Sequence, residues 1–93
     1  MSIQSTIKMS KHKLKEKAKQ LEPVIRIGKN GLTDSIINEI KSQLKSKKLV
    51  KIKLLRPFIQ DKDKKMVAKE IAEKTDSVLI DSVGFVVVLH KRD

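Results

Sequence analysis

The chain has no cysteine, tryptophan or tyrosine, and Phe58 and Phe85 are its two aromatic residues. Without cysteine there can be no disulfide scaffold, no Cys-ligated zinc site and no thiol nucleophile, which is compatible with a reducing compartment. Two aromatics cannot build the stacking platform of an RRM or the interleaved groove of an OB-fold, so any nucleic-acid contact must rest on cations, backbone amides and shape. No apolar run approaches the roughly 20 residues that span a bilayer. The opening Met1-Ser2-Ile3-Gln4-Ser5 also lacks the apolar segment of a signal peptide. A cytoplasmic protein with no membrane partner is expected.

Negative charge is scarce as well. Against 22 Lys and Arg stand 11 Asp and Glu, giving a formal net charge of +11 and a pI near 10.0 in 93 residues that are 39% hydrophobic. The length fits one domain over 1–93, with residues 1–9 expected to be flexible, and the apolar fraction suffices for a core. An excess of this size points to a polyanionic partner, because cations set against phosphates release condensed counterions and steer association from a distance.

Leu14, Ala18 and Leu21 recur at i, i+4 and i+7 among Lys11, Lys13, Lys15, Lys17 and Lys19, which predicts a basic amphipathic helix with Ser10 as its N-cap. Pro23 stops that helix, and the β-branched run Val24-Ile25-Arg26-Ile27 predicts a strand bounded by Gly28. Thr33 and Asp34 suit a second helix start, with Ile36, Ile37, Ile40 and Leu44 as its apolar stripe and Lys45 to Lys48 at its end. Val50 to Leu54 alternates with period two and predicts a strand with one apolar and one lysine face, which Pro57 ends. A third helix is expected from about Asp61 to Lys74, and Ser77 to Val83 with Phe85 to Leu89 form a hairpin turned at Ser82-Val83-Gly84. The fold class is therefore α/β: a single domain of order α-β-α-β-α-β-β, with a mixed four-stranded sheet and helices packed on it. A right-handed crossover should make the first two strands parallel.

One loop carries a mechanism. Gly28-Lys29-Asn30-Gly31 lies between a strand and a helix N-terminus, where unpaired amides favour an anion; its glycines permit positive φ and close approach, and Lys29 adds a cation. In KH domains a loop of this spacing clamps the nucleic-acid backbone. The spacing by itself also fits an ordinary turn, and Asn30-Gly31 is a hairpin signal, but a helix follows here and not a returning strand. The favoured cluster is Lys29 with Lys13, Lys17 and Arg26, on condition that the first helix packs beside the loop; Lys11 belongs to the same helix, and Lys91 and Arg92 are secondary candidates. A run of lysines is otherwise a solvated face.

An enzyme is not expected, nor a cofactor, a metal or a small-molecule substrate. The loop is neither a P-loop nor a dinucleotide fingerprint. His12 and His90 lie at opposite ends of the chain without a nucleophile beside them. Asp61-Lys62-Asp63 opens like a calcium loop, but Met66 and Ala72 stand where its glycine and glutamate should be, and helix N-terminal acidity accounts for these aspartates better.

The run Leu21-Glu22-Pro23-Val24-Ile25-Arg26-Ile27-Gly28-Lys29-Asn30-Gly31-Leu32-Thr33 resembles the signature of the YhbY-like CRM domain, the chloroplast RNA splicing and ribosome maturation domain. The likeness continues through Glu39-Ile40 to the hairpin around Gly84. It implies a fold similar to the C-terminal domain of bacterial translation initiation factor three, and RNA binding through Gly28, Lys29, Asn30 and Gly31 with the basic first helix beside them. Free-standing members of that family associate with precursors of the large ribosomal subunit, and plant multidomain members promote group II intron splicing. A lone copy resembles the ribosome-linked type, so the implied partner is structured rRNA or pre-rRNA, bound by a monomer. The chain departs from the pattern at His90, where an aromatic is common, and in having no basic tail beyond Asp93. The alternative is an architectural chromatin protein similar to the Alba family, which shares size, basicity and a strand ending in Ile-Gly-Lys. The Asn30-Gly31-Leu32-Thr33 continuation favours the CRM resemblance.

Overall fold

The computed structural model describes residues 10–92, so the expected flexibility of residues 1–9 lies outside the described residues. Ser10 caps the first helix as expected, its hydroxyl accepting from the Lys13 amide, and α1 runs over Lys11–Lys19 with Leu14 and Ala18 buried. Strand β1 is Ile25–Ile27. Helix α2, Asp34–Lys47, starts where Thr33 Oγ1 accepts from Ile36 N at 3.1 Å and buries Ile40 and Leu44. Strand β2, Leu49–Leu54, follows.

Pro57 does more than end β2. It sits in the first turn of a short helix, α3 (Arg56–Ile59), where its missing N–H would be unpaired anyway, and this turn buries Phe58 and Ile59. The expected order therefore gains one helix. Helix α4 is Lys64–Lys74, and Asp63 is its N-cap, with Oδ1 accepting from Lys65 N and Met66 N; the acidity read at Asp63 is helix capping. Strands β3, Ser77–Val83, and β4, Val86–Lys91, close the chain. Their turn is Gly84-Phe85, slightly beyond the expected Ser82-Val83-Gly84. Val83 pairs with Val86, and Gly84 takes φ 56° at the first central position, which fits a type II′ turn.

The sheet order is β1-β2-β4-β3, with β1 parallel to β2 and the other pairs antiparallel, so the parallel crossover read from the sequence is present. Both faces are covered. Ile25, Ile27, Val50, Ile52, Leu54, Val87 and Leu89 face α2, α3 and α4 in the main core. On the other face Leu14 and Ala18 of α1 pack against Ile80 and Val88. The register slips between Leu79 and Asp81, so Ile80 reaches that second cluster while Asp81 lies 3.9 Å from the Lys15 ammonium.

The lysine face of β2 is only partly a solvent face. Lys51 Nζ donates to the Ala18 and Leu21 carbonyls at 3.2 Å each, which places a cation at the C-terminal end of α1 and ties that helix to the sheet. Lys53 remains exposed beside Arg26, its register partner.

Candidate nucleic-acid interface

The 28–31 loop is a tight turn closed by the Gly31 amide donating to the Gly28 carbonyl at 2.9 Å. Neither Lys29 nor Asn30 has a positive φ, whereas Gly31 has φ 72°. Types I′, II and II′ are thereby excluded, leaving the type I geometry in which glycine is favoured at the fourth position. The turn then feeds straight into the Thr33 cap of α2. Among the described residues, none accepts a hydrogen bond from the amides of Lys29, Asn30 or Leu32. Three unpaired donors in consecutive turns, with the exposed Lys29 side chain beside them, form a concavity suited to a phosphate oxygen.

The two glycines have different reasons. A Cβ on Gly28 would meet Leu55 Cδ1 at 3.5 Å, an ordinary contact, and its φ lies outside the left-handed region. Gly31 has room, with Phe58 at 3.6 Å, but a strained φ for any other residue. Gly28→Ala is thus expected to leave stability unchanged or raise it by up to about 0.5–1 kcal/mol, and Gly31→Ala to lower it by about 1–2 kcal/mol. Denaturant titration of the two variants checks this contrast. Equal losses would contradict the assignment of positive φ to Gly31 alone.

The floor under the loop is α3. The hollow beside it is lined by Lys29, Asn30, Gly31, Pro57, Phe58, Lys62 and Glu70, whose carboxylate lies 3.8 Å from the Lys74 ammonium. Lys62 places its ammonium 5.5 Å from the Phe58 ring centroid. A second hollow continues from Lys62 past Arg56 and Gln60 to Lys64 and Phe85. The Phe85 carbonyl accepts from Leu54 N at 2.7 Å and the Ile27 carbonyl from Leu55 N at 2.9 Å, so the loop, α3 and the hairpin turn all stand at one end of the sheet.

The sequence-predicted cations sort into three places. Lys29 lies in the loop, and Arg26 lies two residues before the loop begins, on the sheet face that carries α1. Lys11, Lys13 and Lys17 are exposed on α1, which packs over β2 and β3 and not beside the loop. The condition set for joining them to Lys29 is not met, because Leu14 and Ala18 need an apolar floor and find it in Ile80 and Val88, while the edge strand β1 has three residues and turns both isoleucines into the main core. Lys91 and Arg92 stand at the opposite end, where Lys91 N donates to the Lys48 carbonyl and Arg92 Nε lies 3.1 Å from Asp76. The length of β2, roughly 17 Å at about 3.4 Å per residue, separates that end from the loop.

Arg56, Lys62 and Lys64 were not singled out from the sequence. Their signal is a proline directly after a strand, which marks a helix start as well as a strand end and so turns the chain back under the loop. His12 is exposed, and His90 is buried in β4 with Nδ1 2.7 Å from the Lys91 carbonyl oxygen. No helix of the described residues is long and apolar enough to cross a membrane.

Known proteins match this chain across most of its length. The model of the CRS1 / YhbY (CRM) domain family matches residues 8–91. The Bacillus subtilis protein named Probable RNA-binding protein YqeI is 32% identical over 78 residues, covering 84% of this chain and 79% of its own. The Methanocaldococcus jannaschii protein named Probable RNA-binding protein MJ0652 is 35% identical over 81 residues; the match takes in 87% of this chain but 60% of that longer protein. The solution structure of the hypothetical protein SAV1595 from Staphylococcus aureus superposes with a TM-score of 0.73 at 29% identity, covering 89% of this chain and 84% of that one.

Proposed function

This chain belongs to the CRS1 / YhbY (CRM) domain family, and on that premise we propose that it is a non-catalytic RNA-binding protein that holds the phosphate backbone of structured RNA in the 28–31 turn and on Arg56 of α3 and Lys62 just after it. The observation that carries this reading is the set of unpaired amides at Lys29, Asn30 and Leu32 with Lys62 across the hollow. Amides and lysines at this density recognise phosphates and shape, and offer little base-edge readout. The names of the relatives point the same way. By the family resemblance, the proposed RNA is rRNA or its precursor in assembly of the large subunit, bound by one copy of the chain in the cytoplasm.

A salt titration tests the mode of binding. With about five phosphates neutralised, log affinity falls against log salt with a slope of about −3.5 to −4.5, from single-strand to duplex behaviour. Anisotropy of a labelled rRNA fragment between low and moderate salt measures it. A slope near zero would remove the backbone-clamp reading. Recovery of crosslinked RNA from cells then identifies the partner: large-subunit rRNA attached near residues 28–31 supports the assembly role, and recovery dominated by DNA overturns it in favour of an Alba-like chromatin role.

A further inference from the structure

Phe85 stands at the tip of a two-residue hairpin turn, a place usually given to small polar residues, and is 39% exposed. Its backbone is fixed by the hydrogen bond from Leu54 N to its carbonyl, and Gly84 supplies the φ the turn demands. The Lys64 ammonium lies 4.1 Å from the ring centroid. Arg56 and Lys62 line the same hollow, and Lys62 also borders the 28–31 loop, so the ring is one step along a continuous cationic track from the phosphate site.

Resting on the RNA-binding reading above, we infer that Phe85 is a stacking position for one unpaired base of the bound RNA, with Lys64 and Arg56 neutralising the phosphates on either side of that nucleotide. The base takes the place of the ammonium over the ring. The exchange is favourable because base–aromatic stacking is stronger than a cation–π contact at an exposed site, and the displaced ammonium gains a phosphate partner. One ring is too little for a platform that reads a run of bases. It suffices to place a single unpaired nucleotide, and so to favour a bulge or a helix–single-strand junction over a continuous duplex.

The chain contains no tryptophan, so Phe85→Trp provides a single reporter at the site. The probes are an eight-nucleotide oligoadenylate and a blunt RNA duplex of equal length, each followed by anisotropy and by indole emission. The expected result is quenching by the single strand and not by the duplex. Phe85→Leu should weaken the single strand at least about fivefold, the low end for one stacked base, and leave duplex affinity within about twofold. Unaltered circular dichroism confirms that the leucine variant folds. If the unaltered protein binds the RNAs but the leucine variant loses nothing selectively, or the indole is blind to bound single strand, the stacking site is overturned while the RNA-binding reading stands; an indole that responds only to a protein from the ribosome overturns it too. If the unaltered protein binds neither RNA, both readings fall together.

Discussion

Reversing Lys29 and Lys62 together, Lys29→Glu with Lys62→Glu, is expected to lower RNA affinity about fiftyfold near 0.15 M salt while the protein stays folded. Each phosphate left without its lysine forfeits the release of about 0.7 to 0.9 counterion, which at that salt is worth roughly four- to fivefold, so two such phosphates account for about fifteen- to thirtyfold. Repulsion between the new carboxylates and the RNA supplies the remainder. The salt slope should fall by about two at the same time. Both side chains are exposed, and neither takes part in an ion pair among the described residues, so the change in stability is expected to be small. The matched comparison is Lys41→Glu with Lys45→Glu, which changes net charge equally at the opposite end of the sheet. Anisotropy titrations of the two double variants give the answer. An equal loss in both would mean that net charge, and not the 28–31 end, governs binding.

Ile52→Ala carries the largest expected effect on stability. Ile52 is fully buried in the middle of β2, with Ile25 of β1 on one side and Val87 of β4 on the other. Truncation removes three carbons from a site walled by sheet neighbours and by α2 and α4, which cannot collapse without breaking strand register. A loss of about 3–4 kcal/mol is expected, within the range of about 2–5 kcal/mol for such cavities. For a domain of this size that is a fall in Tm of about 12–30 °C, and a large share of a total stability on the order of 5–15 kcal/mol. Urea denaturation followed by circular dichroism measures it. A loss below about 1 kcal/mol would contradict the central place given to β2. RNA affinity measured well below the lowered Tm should stay near that of the unaltered protein, because Ile52 lines neither hollow of the interface.

The long, regular elements were legible because their physics is local. Helix α2 announces itself through Thr33, Asp34 and the Ile36-Ile40-Leu44 spacing, and β2 through the alternation of Val50, Ile52 and Leu54 with lysines. Helix α3 was not legible, since four residues are too short for any period, and Pro57 reads equally as an ending or a beginning. The register slip that sends Ile80 toward α1 is not legible, because Val78-Leu79-Ile80 is an unbroken apolar run with no alternation to assign its faces.

The site divides along the same line. The sequence by itself determined that one small basic α/β domain forms, that its aromatics are too few for a stacking sheet, and that the 28–31 turn joins a strand to a helix. Those properties follow from composition, spacing and nearest-neighbour preferences. Only the tertiary structure decided which cations share that turn. Lys13 and Lys17, expected beside it, are carried to the other face by the apolar needs of Leu14 and Ala18, and Lys91 and Arg92 to the far end by the antiparallel course of β4. Arg56, Lys62, Lys64 and Phe85 come to the turn's end of the sheet instead. The physical reason is that surface charges do not choose their own neighbours. They are placed by the burial of the apolar residues between them, and burial pairs strands and helices that lie tens of residues apart.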